Sequence, residues 1–156
     1  MPTTLVIGYG NPGRLDDGLG PALADRLEAL GIPGVTVDSD YQLTVEDAAA
    51  VAQHDVVVFA DAHVSCDPPF SFTRMEPDPG GILSFSSHHA EPEAVLALAK
   101  EAFGKTPAAF ALGIRGYEFN EFGEQLSEAA RRNLDAALEF LVPRLQNQLI
   151  LSEEEV

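Results

Sequence analysis

Asp55-Val56-Val57-Val58-Phe59-Ala60-Asp61 is the stretch that decides the fold. Its apolar residues run unbroken between two aspartates, and three of them are β-branched valines. A half-exposed strand would alternate polar and apolar residues. A continuous short run instead reads as a strand covered on both faces, the situation of a parallel sheet. Thr4-Leu5-Val6-Ile7-Gly8 near the N-terminus and Ala108–Ile114 have the same character, and Val35–Asp38 is a shorter strand. Phe70–Met75 does alternate, as Phe-Ser-Phe-Thr-Arg-Met, so it reads as an edge strand.

Helical spacing fills the intervals. Ala22, Leu23, Leu27 and Leu30 share a face, and Gly31 stops that helix. Val45–Gln53 reads as a short helix. Another opens at Glu91-Pro92, carries Val95, Leu98, Ala99, Ala102 and Phe103, and closes at Gly104. Ser127 is an N-cap for a last helix with Ala130, Leu134, Ala137, Leu138 and Leu141 on one face, which Pro143 is expected to kink or end. Strands alternating with helices predict a three-layer αβα sandwich with a twisted, mostly parallel five-stranded sheet and one antiparallel edge strand. Residues 1–146 read as a single domain and 147–156 as an acidic tail. The Pro/Gly/Ser-rich stretch Met75–Ser87 is longer than ordinary connections, and such loops are usually functional or mobile.

The chain has 156 residues, 46% of them hydrophobic, enough for a substantial core. Its 9 Lys+Arg against 25 Asp+Glu give a net charge of −16, which disfavours nucleic acid and anionic membranes as partners. The single Cys excludes a disulfide framework and a Cys-based zinc site. There is no run long enough to span a membrane and no basic region ahead of the first apolar run, so a cytoplasmic, monomeric protein is expected.

In open α/β sheets, ligands bind beyond the carboxyl ends of the strands. The first strand ends in Gly8-Tyr9-Gly10-Asn11-Pro12-Gly13-Arg14-Leu15-Asp16-Asp17-Gly18-Leu19-Gly20. Gly8, Gly10 and Gly13 spell G-x-G-x-x-G, and Asp38 stands where a ribose ligand would, which together invite a nucleotide-binding oxidoreductase. Against that reading, Pro12-Gly13 delays the helix to about Gly18, and Asp16 and Asp17 would then repel phosphate at its start. No nucleotide is therefore expected. One of the two aspartates is accounted for by capping and the helix dipole. A second carboxylate beside it repels the first and invites a cation. Asp61, closing the central strand, reads equally as a ligand and as a loop-forming residue.

Of the four His residues, His54 reads as a surface residue and His63 as lining the cleft. His88 and His89 stand together before the later helix, where adjacent side chains point different ways and at most one enters a site. Two carboxylates and one imidazole would suit a divalent metal. The chain has no H-E-x-x-H, no G-x-S-x-G, no pepsin-type D-T-G or D-S-G, and no evident base beside Cys66.

Three motifs in order resemble the hydrogenase maturation endopeptidases, which remove a C-terminal extension from the large subunit of nickel-iron hydrogenases. They are Gly8-x-Gly10-Asn11 through Asp16-Asp17-Gly18-x-Gly20, then Val57-Val58-Phe59-Ala60-Asp61-Ala62, then Ser86-Ser87-His88 before the Val95-Leu96-x-Leu98 helix. The resemblance implies that Asp17, Asp61 and His88 are the metal and catalytic residues, with Asn11, Asp16 and His89 supporting. Family members often carry Glu at the position of Asp17. The resemblance also implies that the nickel is borne by the substrate, the nickel-loaded large-subunit precursor; a carboxylate would serve as general base, with Asp17 chosen over Asp16. A non-catalytic nickel-binding assembly factor is the alternative carried by the same residues.

Overall fold

The computed structural model describes residues 2–80 and 91–147. Five strands among them form one sheet: β1 (Thr4–Tyr9), β2 (Val35–Asp40), β3 (Val56–His63), β4 (Phe70–Met75) and β5 (Ala108–Arg115), in the order β2-β1-β3-β5-β4. β2, β1, β3 and β5 run parallel, and β4 pairs antiparallel with β5 at the edge, as the alternation of Phe70–Met75 predicts. The helices are α1 (Leu19–Leu30), α2 (Asp47–Ala52), α3 (Pro92–Phe103) and α4 (Glu128–Gln146).

Strand periodicity sorts the core into two layers. Val6, Val58, Phe110 and Leu112 pack with Leu19, Leu23 and Leu27 of α1 and with Leu134 and Leu141 of α4. Leu5, Ile7, Val57 and Phe59 point the other way, onto Val51 of α2 and Val95, Leu96 and Ala99 of α3. The unbroken apolar runs therefore cover both faces of the sheet. Under the β4 edge, Phe72 stacks on Phe110 at 5.1 Å and meets Phe140 of α4 edge-on at 5.0 Å.

The helix boundaries follow local chemistry. Gly31 (φ 58°) and Gly104 (φ 72°) end α1 and α3 in the left-handed conformation. Pro92 occupies the first turn of α3, and the Ser127 Oγ accepts the Ala130 N–H at 3.2 Å at the start of α4. The start of α1 falls within one residue of the expected Gly18, and the end of α4 needs correction. A 3-10 turn over Leu15–Gly18 precedes α1, which begins at Leu19. Pro143 does not end α4, which continues to Gln146. In the final turn Pro removes only one intrahelical bond, and burial of Leu145 against the core keeps that turn docked. The tail beyond Asn147 and residues 81–87 of the long loop lie outside the described residues.

Candidate active site

Parallel register brings the carboxyl ends of the two central strands together. Gly8 of β1 stands opposite Ala60 of β3, so Tyr9 and Asp61 follow side by side. Both have the parity of Ile7 and Phe59, and thus face the α3 side of the sheet.

The glycines of the first motif let backbone pack on backbone. A Cβ on Gly8 would run into the carbonyl oxygen of Gly20, and one on Gly20 into the carbonyl oxygens of Tyr9 and Ala60. Gly10 (φ 140°) closes in the same way on the Asp17 carbonyl. The 3-10 turn and the start of α1 are thereby set directly on the strand ends. A dinucleotide fingerprint needs open space for a pyrophosphate beside its glycines. Here the Cβ directions of Gly8 and Gly10 are taken up by the carbonyl oxygens of Gly20 and Asp17, so these two glycines serve backbone packing.

The two adjacent aspartates part company. Asp17 Oδ2 accepts the Asn11 N–H at 2.9 Å. Asn11 in turn turns the loop by accepting the Gly13 N–H on its own Oδ1 at 2.8 Å. The second Asp17 oxygen has no hydrogen-bond partner among the described residues. Asp16 points away and is fully buried, at 0% exposure. Its carboxylate accepts the Tyr117 N–H (2.8 Å), the Glu118 N–H (3.0 Å), the Ser127 N–H (2.7 Å) and the Ser127 hydroxyl (2.8 Å). Burial works to raise its pKa, and these bonds outweigh burial and hold it below the ordinary carboxylate value. Neither aspartate caps α1, whose N-cap Gly18 makes no side-chain bond, so the capping account of the pair is corrected. Asp16 instead ties the β1–α1 loop to the β5–α4 loop.

Asp61 is the electrostatic opposite of Asp16. Burial, with the charges of Asp17 and Glu91, pushes its carboxyl from 3.8 up to about 7, against a single bond from the Ala62 N–H at 2.8 Å. Its Oδ2 has no hydrogen-bond partner among the described residues. Tyr9 shares the environment, its phenol pushed far above its ordinary pKa by burial and by the charges of Asp61, Glu91 and Glu93. The sequence reading passed over Tyr9 and Glu91. The parity of Tyr9 with Ile7 was the available signal for the first, and the position of Glu91 at the start of α3 for the second.

His63, the last residue of β3, turns its ring toward the loop that follows. Its Nδ1 accepts the Ser65 and Cys66 N–H groups at 3.1 and 2.9 Å, which leaves the ring proton on Nε2. Cys66 Sγ contacts the Gly113 carbonyl at 3.7 Å. His54 is bonded to the Ala50 carbonyl and the Thr36 hydroxyl at the far end of the sheet. His88 and His89 lie outside the described residues. Among the described residues no group of three His, Cys, Asp or Glu side chains stands arranged to hold a metal. What is assembled there is a pair of carboxylates, Asp17 and Asp61, each with one oxygen tied to a backbone amide and one open. At the carboxyl end of β2 a cleft of about 200 Å³ is lined by Gly10, Pro12, Pro21, Ser39, Asp40 and Tyr41, and neither Asp17 nor Asp61 lines it. No helix among the described residues is long and apolar enough to cross a membrane.

No protein-family model and no curated protein sequence matches the chain. Solved structures do. A [NiFe] hydrogenase maturation protease HycI from Thermococcus kodakarensis superposes with a TM-score of 0.69 at 23% identity, covering 93% of this chain and 92% of that one. A hydrogenase 2 maturation peptidase from a Thaumarchaeota archaeon gives 0.66 at 25% identity, covering 92% and 97%. The hydrogenase maturating endopeptidase HybD of E. coli gives 0.66 at 22% identity, covering 94% and 93%. The resemblance carried by the three motifs is thus matched by the architecture, and the chain is built on the fold of the hydrogenase maturation endopeptidases.

Proposed function

We propose that this chain is an endopeptidase that removes the C-terminal extension of a nickel-loaded nickel-iron hydrogenase large-subunit precursor. The observation that carries the reading is the Asp17–Asp61 pair. Two carboxylates converge at the ends of the central strands, one of them pushed up to about 7, and each keeps an open oxygen. That arrangement is unfavourable in isolation and is relieved by a cation. In the proposed reaction that cation is the nickel carried by the substrate.

Asp17 and Asp61 offer their open oxygens to that nickel, and His88, three residues before Glu91 in the sequence, completes the set. The metal anchors the precursor so that its scissile peptide lies over the strand ends, and it polarises the carbonyl or a water. Asp17 takes a proton from the water as its oxygen bonds to the scissile carbonyl carbon, and returns that proton to the amine nitrogen as the C–N bond breaks. Asn11 holds the Asp17 carboxylate by its backbone N–H. Asp16 holds the loop, and His89 supports His88. The acidic chain works as a cytoplasmic monomer, apart from nucleic acid and membranes.

The test is a set of variants assayed on a nickel-loaded precursor. Asp17→Ala, Asp61→Ala and His88→Ala are each expected to abolish release of the C-terminal peptide with the fold intact. Full activity in any of them overturns the assignment of that residue.

A further inference from the structure

Among the described residues the large apolar side chains left exposed are not scattered evenly. Tyr41 and Val45 follow β2, Val64 follows β3, and Tyr117 and Phe122 follow β5, all at the end of the sheet where Asp17 and Asp61 lie. Leu30 and Phe103 close α1 and α3 at the opposite end. A macromolecule that reaches Asp17 and Asp61 approaches by this end of the sheet, past these side chains. Phe122 stands out at 90% exposure.

Its loop is held firmly. Leu15 N–H bonds the Gly123 carbonyl at 2.8 Å, and Gly123 N–H bonds the Gly13 carbonyl at 2.8 Å. Arg14 Nη2 reaches the Phe119 carbonyl at 3.1 Å. The Asp16 carboxylate grips the loop at Tyr117, Glu118 and Ser127. A loop latched on this scale does not fold back to bury its tip, so the ring is displayed to solvent by construction. The latching partner is the loop that carries Asp17, which fixes Phe122 relative to the candidate catalytic carboxylate. Glu118, Glu121 and Glu124 of the same loop are all exposed.

We infer that Phe122 is a docking anchor that enters an apolar socket on the large-subunit precursor, and that Lys and Arg residues on the precursor rim that socket and meet Glu118, Glu121 and Glu124. The inference rests on the proposed function for the identity of the partner. Buried aromatic anchors inside a ring of weaker polar contacts are the usual arrangement of binding hot spots, and rim charges act mainly on the association rate. Asp17 and Asp61 would then read the metal while Phe122 reads the folded surface beside it.

The experiment titrates the purified nickel-loaded precursor encoded in the same genome against wild type, Phe122→Ala, Phe122→Trp and Phe103→Ala, measuring binding by calorimetry and processing by mass spectrometry. Phe122→Ala is expected to weaken binding and raise KM at least tenfold, with kcat within twofold and thermal unfolding unchanged. Phe122→Trp should restore most of the binding, and Phe103→Ala at the far end should match wild type. Equal binding by wild type and Phe122→Ala overturns the inference and leaves the protease reading standing. Binding that depends on Phe122 without peptide release supports the anchor and overturns the protease reading. Wild type that neither binds nor cleaves the precursor overturns both.

Discussion

Asp61→Asn is expected to raise the stability of the protein at pH 8 while destroying processing. The wild-type carboxyl is raised from 3.8 to about 7 by burial and by Asp17 and Glu91. At about 1.36 kcal/mol per unit, ionising it in the folded chain costs about 4 kcal/mol. The sign follows from linkage: between pH 4 and 7 the folded state keeps a proton that the unfolded state has released, so stability falls as pH rises through that window. Asn resembles the protonated acid, keeps the acceptor for the Ala62 N–H, and carries no charge. Some of the gain is offset by desolvation of the amide, which leaves about 2–4 kcal/mol above pH 7. Urea denaturation of both proteins at intervals from pH 4 to 8 measures it. The gap should be small at pH 4, widen to about pH 7 and stay level beyond. A gap that does not change with pH, or a wild type that is the more stable at pH 8, refutes the reasoning.

Further outcomes are expected at neighbouring positions. Asp16→Asn replaces acceptor capacity by an amide donor facing N–H groups, and should cost about 2–4 kcal/mol of unfolding free energy at pH 7. Because the folded Asp16 carboxyl is held low, its contribution is present above pH 4 and lost as pH falls through the folded value, so variant and wild type should converge in acid unfolding. Gly20→Ala drives a methyl into the carbonyls of Tyr9 and Ala60 and should cost about 3 kcal/mol, read by thermal or urea unfolding. Ser127→Ala loses both the cap of α4 and a bond to Asp16, and about 1–2 kcal/mol in the same assay. His89→Ala should slow processing less than His88→Ala, and equal losses would remove the distinction between them.

The fold was legible because its signals are local. Val56–Ala60 is apolar on both faces, and only a sheet covered twice accommodates that. Gly31, Gly104, Pro92 and Ser127 act within one helical turn of where they stand. Asp61 was read as the end of the central strand, and β3 in fact runs two residues further, to His63, because Ala62 and His63 still pair with Ile114 and Arg115 of β5. The division of labour between Asp16 and Asp17 was not, because the partners of Asp16 lie 101 to 111 residues away and neighbouring side chains of a 3-10 turn point in different directions. Tyr9 was hidden inside a glycine pattern whose familiar meaning concerns phosphate, although its parity already placed it beside Asp61. Pro143 shows a local rule overridden by tertiary burial, since docking of Leu145 outweighs the missing hydrogen bond.

The central claim is that the carboxylate pair reads a metal carried by the substrate. Mass spectrometry of a large-subunit precursor incubated with this protein, nickel-loaded beside nickel-free, tests it most directly. The account predicts release of one defined C-terminal peptide from the loaded precursor and none from the nickel-free one. Release from both would contradict nickel as the element that is read. Release from neither, with binding retained, would make the chain an assembly factor and contradict the proteolytic role itself.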